Sequence, residues 1–161
     1  MDITWVTDRI AVGGGIWNNE NMAEIVRMGV THIINMQIEF DDRTLAERFP
    51  VTVYNNPTDD DFQHKPPEIF QGAVEFALQA LDGGNDNADN RVFIHCAAGV
   101  HRAPMMTLAL LRVLGWNLDD AQRLIQKRRY VVDFAEVYVR SVEDFVRVYE
   151  GAGAANSKPA E

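Results

Sequence analysis

Val92-Phe93-Ile94-His95-Cys96-Ala97-Ala98-Gly99-Val100-His101-Arg102-Ala103-Pro104-Met105-Met106-Thr107-Leu108 is the stretch on which the reading of this chain turns. Its first three residues are the most apolar strand candidate in the sequence. Residues 103–114 are apolar nearly all round, the pattern of a buried central helix. Between them lies a short loop with one glycine, and Pro104 falls in the first helical turn, where its missing N–H costs nothing. A strand that runs through a tight loop into a helix is a ready anion site. The loop amides can converge inward, and the helix N-terminus adds positive potential. Gly99 permits the backbone angles that such a loop demands.

Cys96 stands at the lip of that cradle and is the sole cysteine of the chain. Amides, a helix end and a nearby guanidinium favour thiolate over thiol. Sites of this kind lower a cysteine pKa from about 8.5 to roughly 3.5–7.5. Arg102, six residues on, can close the loop and grip two oxygens of a tetrahedral anion in a fork, which lysine could not do. Chance placement of His, Gly and Arg at these offsets around one cysteine has a probability on the order of one in ten thousand. The competing reading is a buried structural cysteine, the usual role of a lone one.

Outward from this loop the chain alternates strands and helices. Residues 9–12 are a β-prone run stopped by three glycines. Residues 18–28 form a helix ended by Gly29, and residues 31–36 a buried strand. Residues 41–49 read as a polar helical connection and residues 51–54 as a further strand. Asn55 to Pro67 reads as a loop, and residues 67–81 carry Phe70, Val74, Leu78 and Leu81 at helical spacing. Residues 82–90 (DGGNDNADN) are turn-forming. Asn117 caps a helix over residues 118–129, with Asp119 and Asp120 in its positive first turn. A last helix spans residues 134–149. The expected architecture is one α/β domain over residues 1–150, a mostly parallel central sheet of four to five strands flanked by about six helices. Residues 151–161 are expected to be a disordered tail.

The 161 residues suit one core, and 47% apolar with 24% charged residues is an ordinary globular composition. A formal net charge of −9 argues against general affinity for nucleic acid or an anionic membrane. One cysteine allows no internal disulfide, and no secretory signal, membrane span or lipidation signal is legible. The expectation is a cytoplasmic protein without a stable membrane anchor. No His/Cys/carboxylate set stands at metal-ligand spacing, so neither metal nor cofactor is expected.

His95-Cys96-x5-Arg102 resembles the signature of the protein tyrosine phosphatases, and length and element order resemble the small dual-specificity branch. Arg9-Ile10-Ala11-Val12-Gly13-Gly14 is similar to that branch's opening strand and Gly29-Val30-Thr31-His32-Ile33-Ile34-Asn35 to its second, so the likeness covers roughly residues 8–149. Cys96 to Pro104, with Ile125-Gln126-Lys127-Arg128-Arg129 downstream, most resembles the phosphatases of regenerating liver. The resemblance implies a cysteine-dependent phosphomonoesterase. Cys96 would be the nucleophile, Arg102 the phosphate clamp, and Ala97, Ala98, Gly99, Val100 and His101 the rest of the phosphate cradle. It also implies an aspartic general acid on the loop after the third strand, which here reads Pro57-Thr58-Asp59-Asp60-Asp61. Spacing from Pro57 favours Asp60, with Asp59 second. At least two of the three aspartates are solvated loop charges on any reading.

His95 is read as holding the loop by hydrogen bonding rather than transferring protons. His101 faces outward, either tuning selectivity or inert. His64 and Lys65 read as exposed loop residues. Where relatives of this kind place Ser or Thr after the arginine, this chain has Ala103, which implies slow hydrolysis of a phosphocysteine intermediate. Expected partners are a phosphorylated protein (phosphotyrosine, with phosphoserine or phosphothreonine) or a small phosphomonoester. A phosphoinositide or sugar phosphate is a further substrate class. The rival readings are a phosphate-binding module without turnover and a rhodanese-type sulfurtransferase. The latter is disfavoured by the six-residue gap to Arg102.

Overall fold

In the computed structural model, which describes residues 1–82 and 89–156, five strands and six helices form one α/β unit. The strands are β1 (Ile3–Trp5), β2 (Ile10–Gly13), β3 (His32–Gln37), β4 (Thr52–Thr58) and β5 (Val92–His95). The helices are α1 (Asn19–Arg27), α2 (Arg43–Ala46), α3 (Glu68–Asp82), α4 (Arg102–Val113), α5 (Leu118–Arg128) and α6 (Glu136–Asn156). Sheet order is β1-β2-β5-β3-β4. All neighbours are parallel except the β1–β2 pair, so the expected mostly parallel sheet is present, with one short antiparallel edge that the sequence did not announce.

Alternation along β5 divides the core. Val92 and Ile94 face α3–α6 and join Met105, Met106, Leu108, Ala109, Phe70 and Phe145. Phe93 faces the other way, toward Met22 and Ile25 of α1 and Ala46 of α2. Side chains on a strand alternate faces, so His95 follows Phe93 and Cys96 follows Ile94. The two residues at the start of the loop are thereby sent to opposite sides of the sheet. Ten residues of α4 are buried, as its all-round apolar pattern required.

Local signals explain the helix ends. The Asn18 side chain accepts from the Asn21 N–H at 2.8 Å, and Asn117 accepts from Asp120 N–H at 2.9 Å. Gly29, at φ 96°, ends the first of these helices.

Two expectations fail in an informative way. Residues 41–49 hold only the single turn of α2, and the Asp42 side chain at its N-terminus does not cap it but reaches into the core toward His95. The loop expected from Asn55 is strand through Thr58. There Asn35 Nδ2 donates to Asn55 Oδ1 at 3.3 Å and Asn56 Nδ2 to the Ile69 carbonyl at 2.8 Å. Pro57 is tolerated because β4 is an edge strand. The turn read at residues 82–90 lies mostly outside the described residues, as does the end of the tail from residue 157. α6 itself continues to Asn156, seven residues past Tyr149.

Candidate active site

β5 ends at His95, and the loop of residues 96–101 turns directly into α4. The Cys96 N–H donates to the Gly13 carbonyl at 3.3 Å and the Gly15 N–H to the Ala97 carbonyl at 3.0 Å, so the end of β2 fixes one side of the loop. Cys96 is 2% exposed and belongs to the core cluster that Val92 and Ile94 join, but its sulfur is also hydrogen-bonded. It accepts N–H bonds from Gly99 at 3.3 Å and Ala103 at 3.4 Å. Gly99 has φ 67°, and a Cβ there would come within 2.6 Å of both the Gly13 carbonyl carbon and Arg129 Nη2, so no other residue fits.

Arg102 is 5% exposed and turned inward. Its Nη1 donates to Glu39 Oε1 and, at 2.9 Å, to the Thr58 carbonyl, while Nη2 donates to Glu39 Oε2 at 2.8 Å. Its buried Nε–H has no partner among the described residues. A buried donor without a partner is costly and calls for an explanation, such as an absent acceptor. The hydrogen bonds from Arg102, more than burial opposes them, hold the Glu39 carboxyl at about 2 against its ordinary 4.5.

A carboxyl lowered on folding stabilises the fold above its ordinary value and loses that contribution as pH falls through the folded value. Glu39→Gln is therefore expected to cost at most about 1 kcal/mol at pH 7, because the Glu39 side chain is 42% exposed and solvent screens the pair. The difference should shrink below pH ~4.5 and vanish near 2. Urea unfolding at pH 7 and pH 3 checks it.

Asp60 is the one member of the acidic triplet that the structure brings to the loop. Its Oδ2 lies 2.9 Å from His101 Nδ1, and its Oδ1 accepts the Tyr138 hydroxyl at 2.8 Å. Burial, reinforced by Asp60, pushes the Tyr138 phenol up to about 12, so it stays a neutral donor. Asp61 is taken by Lys65 at 2.6 Å. Asp59 is exposed, with no side-chain bond among the described residues. Lys65 corrects the sequence reading: it is 6% exposed, with its ammonium 5.8 Å from the Tyr138 ring centre. Its stem packs as lysine stems can while the head stays paired. His64 is exposed, as read, and meets Asp144 at 2.9 Å. His101 is not a bare surface residue. Its Nε2 lies 3.2 Å from Asp133 Oδ2, and Phe62 meets it edge-on at 4.9 Å.

The His95 side chain bonds neither the loop nor Cys96 among the described residues, but a partner that the sequence did not reveal. Its Nε2 is 2.7 Å from Asp42 Oδ2, and neither side chain has any exposure. Arg129 braces the loop from behind, donating to the Gly99 carbonyl at 2.8 Å and the Ala98 carbonyl at 3.0 Å. Asp2 holds Arg129 in turn through two bonds at 2.8 and 2.7 Å. Glu39, Asp42, Asp60 and the loop all lie at the carboxyl ends of the parallel strands, where open α/β sheets place their sites. That rule was the one signal that could have pointed to residues 38–42.

The arrangement offers a sulfur held by two amides, an inward guanidinium with a spare donor, and a carboxyl group nearby. The profile of "Dual specificity phosphatase, catalytic domain" matches residues 16–147. Protein phosphatase Slingshot homolog 3 of Mus musculus is 30% identical over 86% of this chain, and Protein phosphatase Slingshot of Drosophila melanogaster is 25% identical over 82%. The chain spans only 20% and 12% of those relatives' lengths. Among solved structures, PTPMT1 superposes with a TM-score of 0.78 at 20% identity, covering 96% of this chain and 99% of that one. A PTPMT1 complex with PI(5)P gives the same TM-score at 18% identity, covering 94% and 98%. At these identities the likeness concerns the fold.

Proposed function

The chain belongs to the dual specificity phosphatase catalytic domain family, and from that membership we propose that it hydrolyses phosphotyrosine, and phosphoserine or phosphothreonine, through a phosphocysteine on Cys96. The carrying observation is the Cys96 sulfur in its two amide bonds beside the unpartnered Arg102 Nε–H. A bound phosphoryl group supplies the acceptor that this donor lacks. In the first step the Cys96 thiolate attacks phosphorus, the S–P bond forms, and the ester P–O bond breaks with its electron pair going to oxygen. Arg102 and the amides of residues 97–102 stabilise the equatorial oxygens. Asp60 gives a proton to the leaving oxygen. In the second step water attacks phosphorus, Asp60 takes its proton, and the Cys96 thiolate leaves.

The cradle residues 97–101 include no lysine, which favours a phosphorylated side chain over a polyphosphorylated headgroup. The test is rapid acid quench during turnover of para-nitrophenyl phosphate. Mass spectrometry should find phosphate on Cys96, and hydrolysis without any such adduct would sink the reading. A panel of phosphopeptides and phosphoinositides then ranks the substrate classes.

Ala103 bears on the second step. It is fully buried, and its N–H reaches the sulfur at 3.4 Å, so a hydroxyl at this position would lie close to the departing thiolate. A pre-steady-state burst is expected in the unaltered protein. Ala103→Ser should raise steady-state turnover several-fold, by about 1 kcal/mol of barrier, and shrink the burst. No change in either quantity contradicts the assignment of the second step as slow.

A further inference from the structure

The imidazole of His101 stands between two carboxylates, Asp60 at Nδ1 (2.9 Å) and Asp133 at Nε2 (3.2 Å). Asp133 has only acceptor oxygens to offer when ionised, and its side chain is 67% exposed to water, so this contact assigns a hydrogen to Nε2. On the other side, Tyr138 already donates to Asp60 Oδ1, since its oxygen accepts the Phe62 N–H at 3.1 Å and its own hydrogen points onward. The contact between Asp60 Oδ2 and His101 Nδ1 therefore holds one proton. It is either a carboxylic acid donating to a neutral imidazole or an imidazolium donating to a carboxylate. The same neighbours satisfy both.

We propose that the proton delivered to the leaving oxygen is stored on the Asp60–His101 pair, with Asp133 fixing the imidazole tautomer. This rests on the reading of Asp60 as the general acid. Both members of the contact can carry a proton, so the pair offers two sites for it beside the leaving oxygen. The other groups facing the pair are the neutral Tyr138 phenol from α6 and the Arg102 guanidinium, which Glu39 occupies. The proton balance closes. Asp60 Oδ2–H passes its proton to the leaving oxygen as the P–O bond breaks, leaving a carboxylate beside neutral His101. That carboxylate takes a proton from the attacking water, and the pair again holds one.

The His101 side chain has a positioning and proton-holding role in this scheme, since only the backbone N–H of this residue meets the phosphoryl group. His101→Asn keeps an amide donor near the Nδ1 position but cannot store a proton, whereas His101→Ala loses both. With phenyl phosphate, whose leaving group needs the proton, His101→Asn should lose about 10–100-fold in kcat at pH 7, with the basic limb of the pH profile displaced acidward. With 2,4-dinitrophenyl phosphate, whose leaving group needs none, kcat should change little. Asp133→Asn should move the same limb in the same direction by less. It is the variant to rely on if position 101 does not tolerate substitution. Inhibition by inorganic phosphate monitors the cradle throughout.

Equal loss on both esters with an unmoved basic limb, or no loss on either, overturns the proposal. Asp60→Asn separates this failure from that of the reading beneath it. If Asp60→Asn shows the leaving-group dependence and the His101 variants do not, only the shared proton is wrong. If Asp60→Asn shows none, the general acid itself is misassigned.

Discussion

Cys96→Ser is expected to lower turnover of any phosphomonoester by about 10⁴-fold or more while leaving the protein folded. A serine hydroxyl needs a base, and none is available to it. His95, the adjacent imidazole, faces the opposite side of the sheet and is held by Asp42 at 2.7 Å. His101 and Asp60 are engaged with each other. The two amides that meet the sulfur stand at 3.3 and 3.4 Å, distances suited to a large anion and too long for strong bonds to a smaller hydroxyl oxygen. Arg102→Lys is the companion test. An ammonium cannot hold both Glu39 oxygens and the Thr58 carbonyl while also presenting a planar donor to phosphate. A loss of roughly 10²–10³ in kcat is expected, the scale of removing one oxyanion donor. Para-nitrophenyl phosphate and a phosphotyrosyl peptide serve as substrates. Comparable turnover by the serine variant would end the cysteine mechanism.

What was legible in the chain was what is local. The β5–loop–α4 passage declared itself through an apolar strand, one glycine and a proline at fixed offsets, all within 13 residues of sequence. Asp60 was reachable because its spacing from Pro57 resembles that of related chains. The groups that orient these residues were not legible, because nothing in their own neighbourhoods marks them. Glu39 stands 63 residues from Arg102, Asp42 53 from His95, and Tyr138 78 from Asp60. Asp42 belongs to the polar connection read over residues 41–49 and Tyr138 to a core stripe of α6, while Glu39 falls in the stretch between strand and connection that drew no reading. Lys65 was misjudged for a related reason. Its charge implied exposure, whereas the Asp61 carboxylate and the Tyr138 ring make burial acceptable. Strand propensity also misled at Asn55 and Asn56, where amide side chains bonded to β3 and α3 outweigh a turn-prone composition.

The largest expected effect on stability comes from Asp42→Ala. Both Asp42 and His95 are fully buried, and His95 Nδ1 already lacks a hydrogen-bond partner among the described residues. Removing the carboxylate leaves the imidazole with neither nitrogen satisfied and Asn35 without one of its acceptors. Removing one member of a buried pair costs about 3–5 kcal/mol, against a total stability on the order of 5–15 kcal/mol for a domain. Asp42→Asn is a milder change of instructive sign. One carboxylate oxygen accepts from Asn35 Nδ2 at 3.3 Å and the other faces His95 Nε2 at 2.7 Å, so an amide must turn its NH2 toward one of two donors. A cost of about 1–3 kcal/mol follows. His95→Phe, which places an aromatic ring where Phe93 already stacks at 5.4 Å, removes the group that needs the carboxylate. The cost of Asp42→Ala in that background should then fall by about 0.5–3 kcal/mol, the range for residues in contact. Urea unfolding of the four proteins at pH 7 measures the cycle. If Asp42→Ala lies within about 1 kcal/mol of the unaltered protein, the pair does not anchor the strand from which the nucleophile projects.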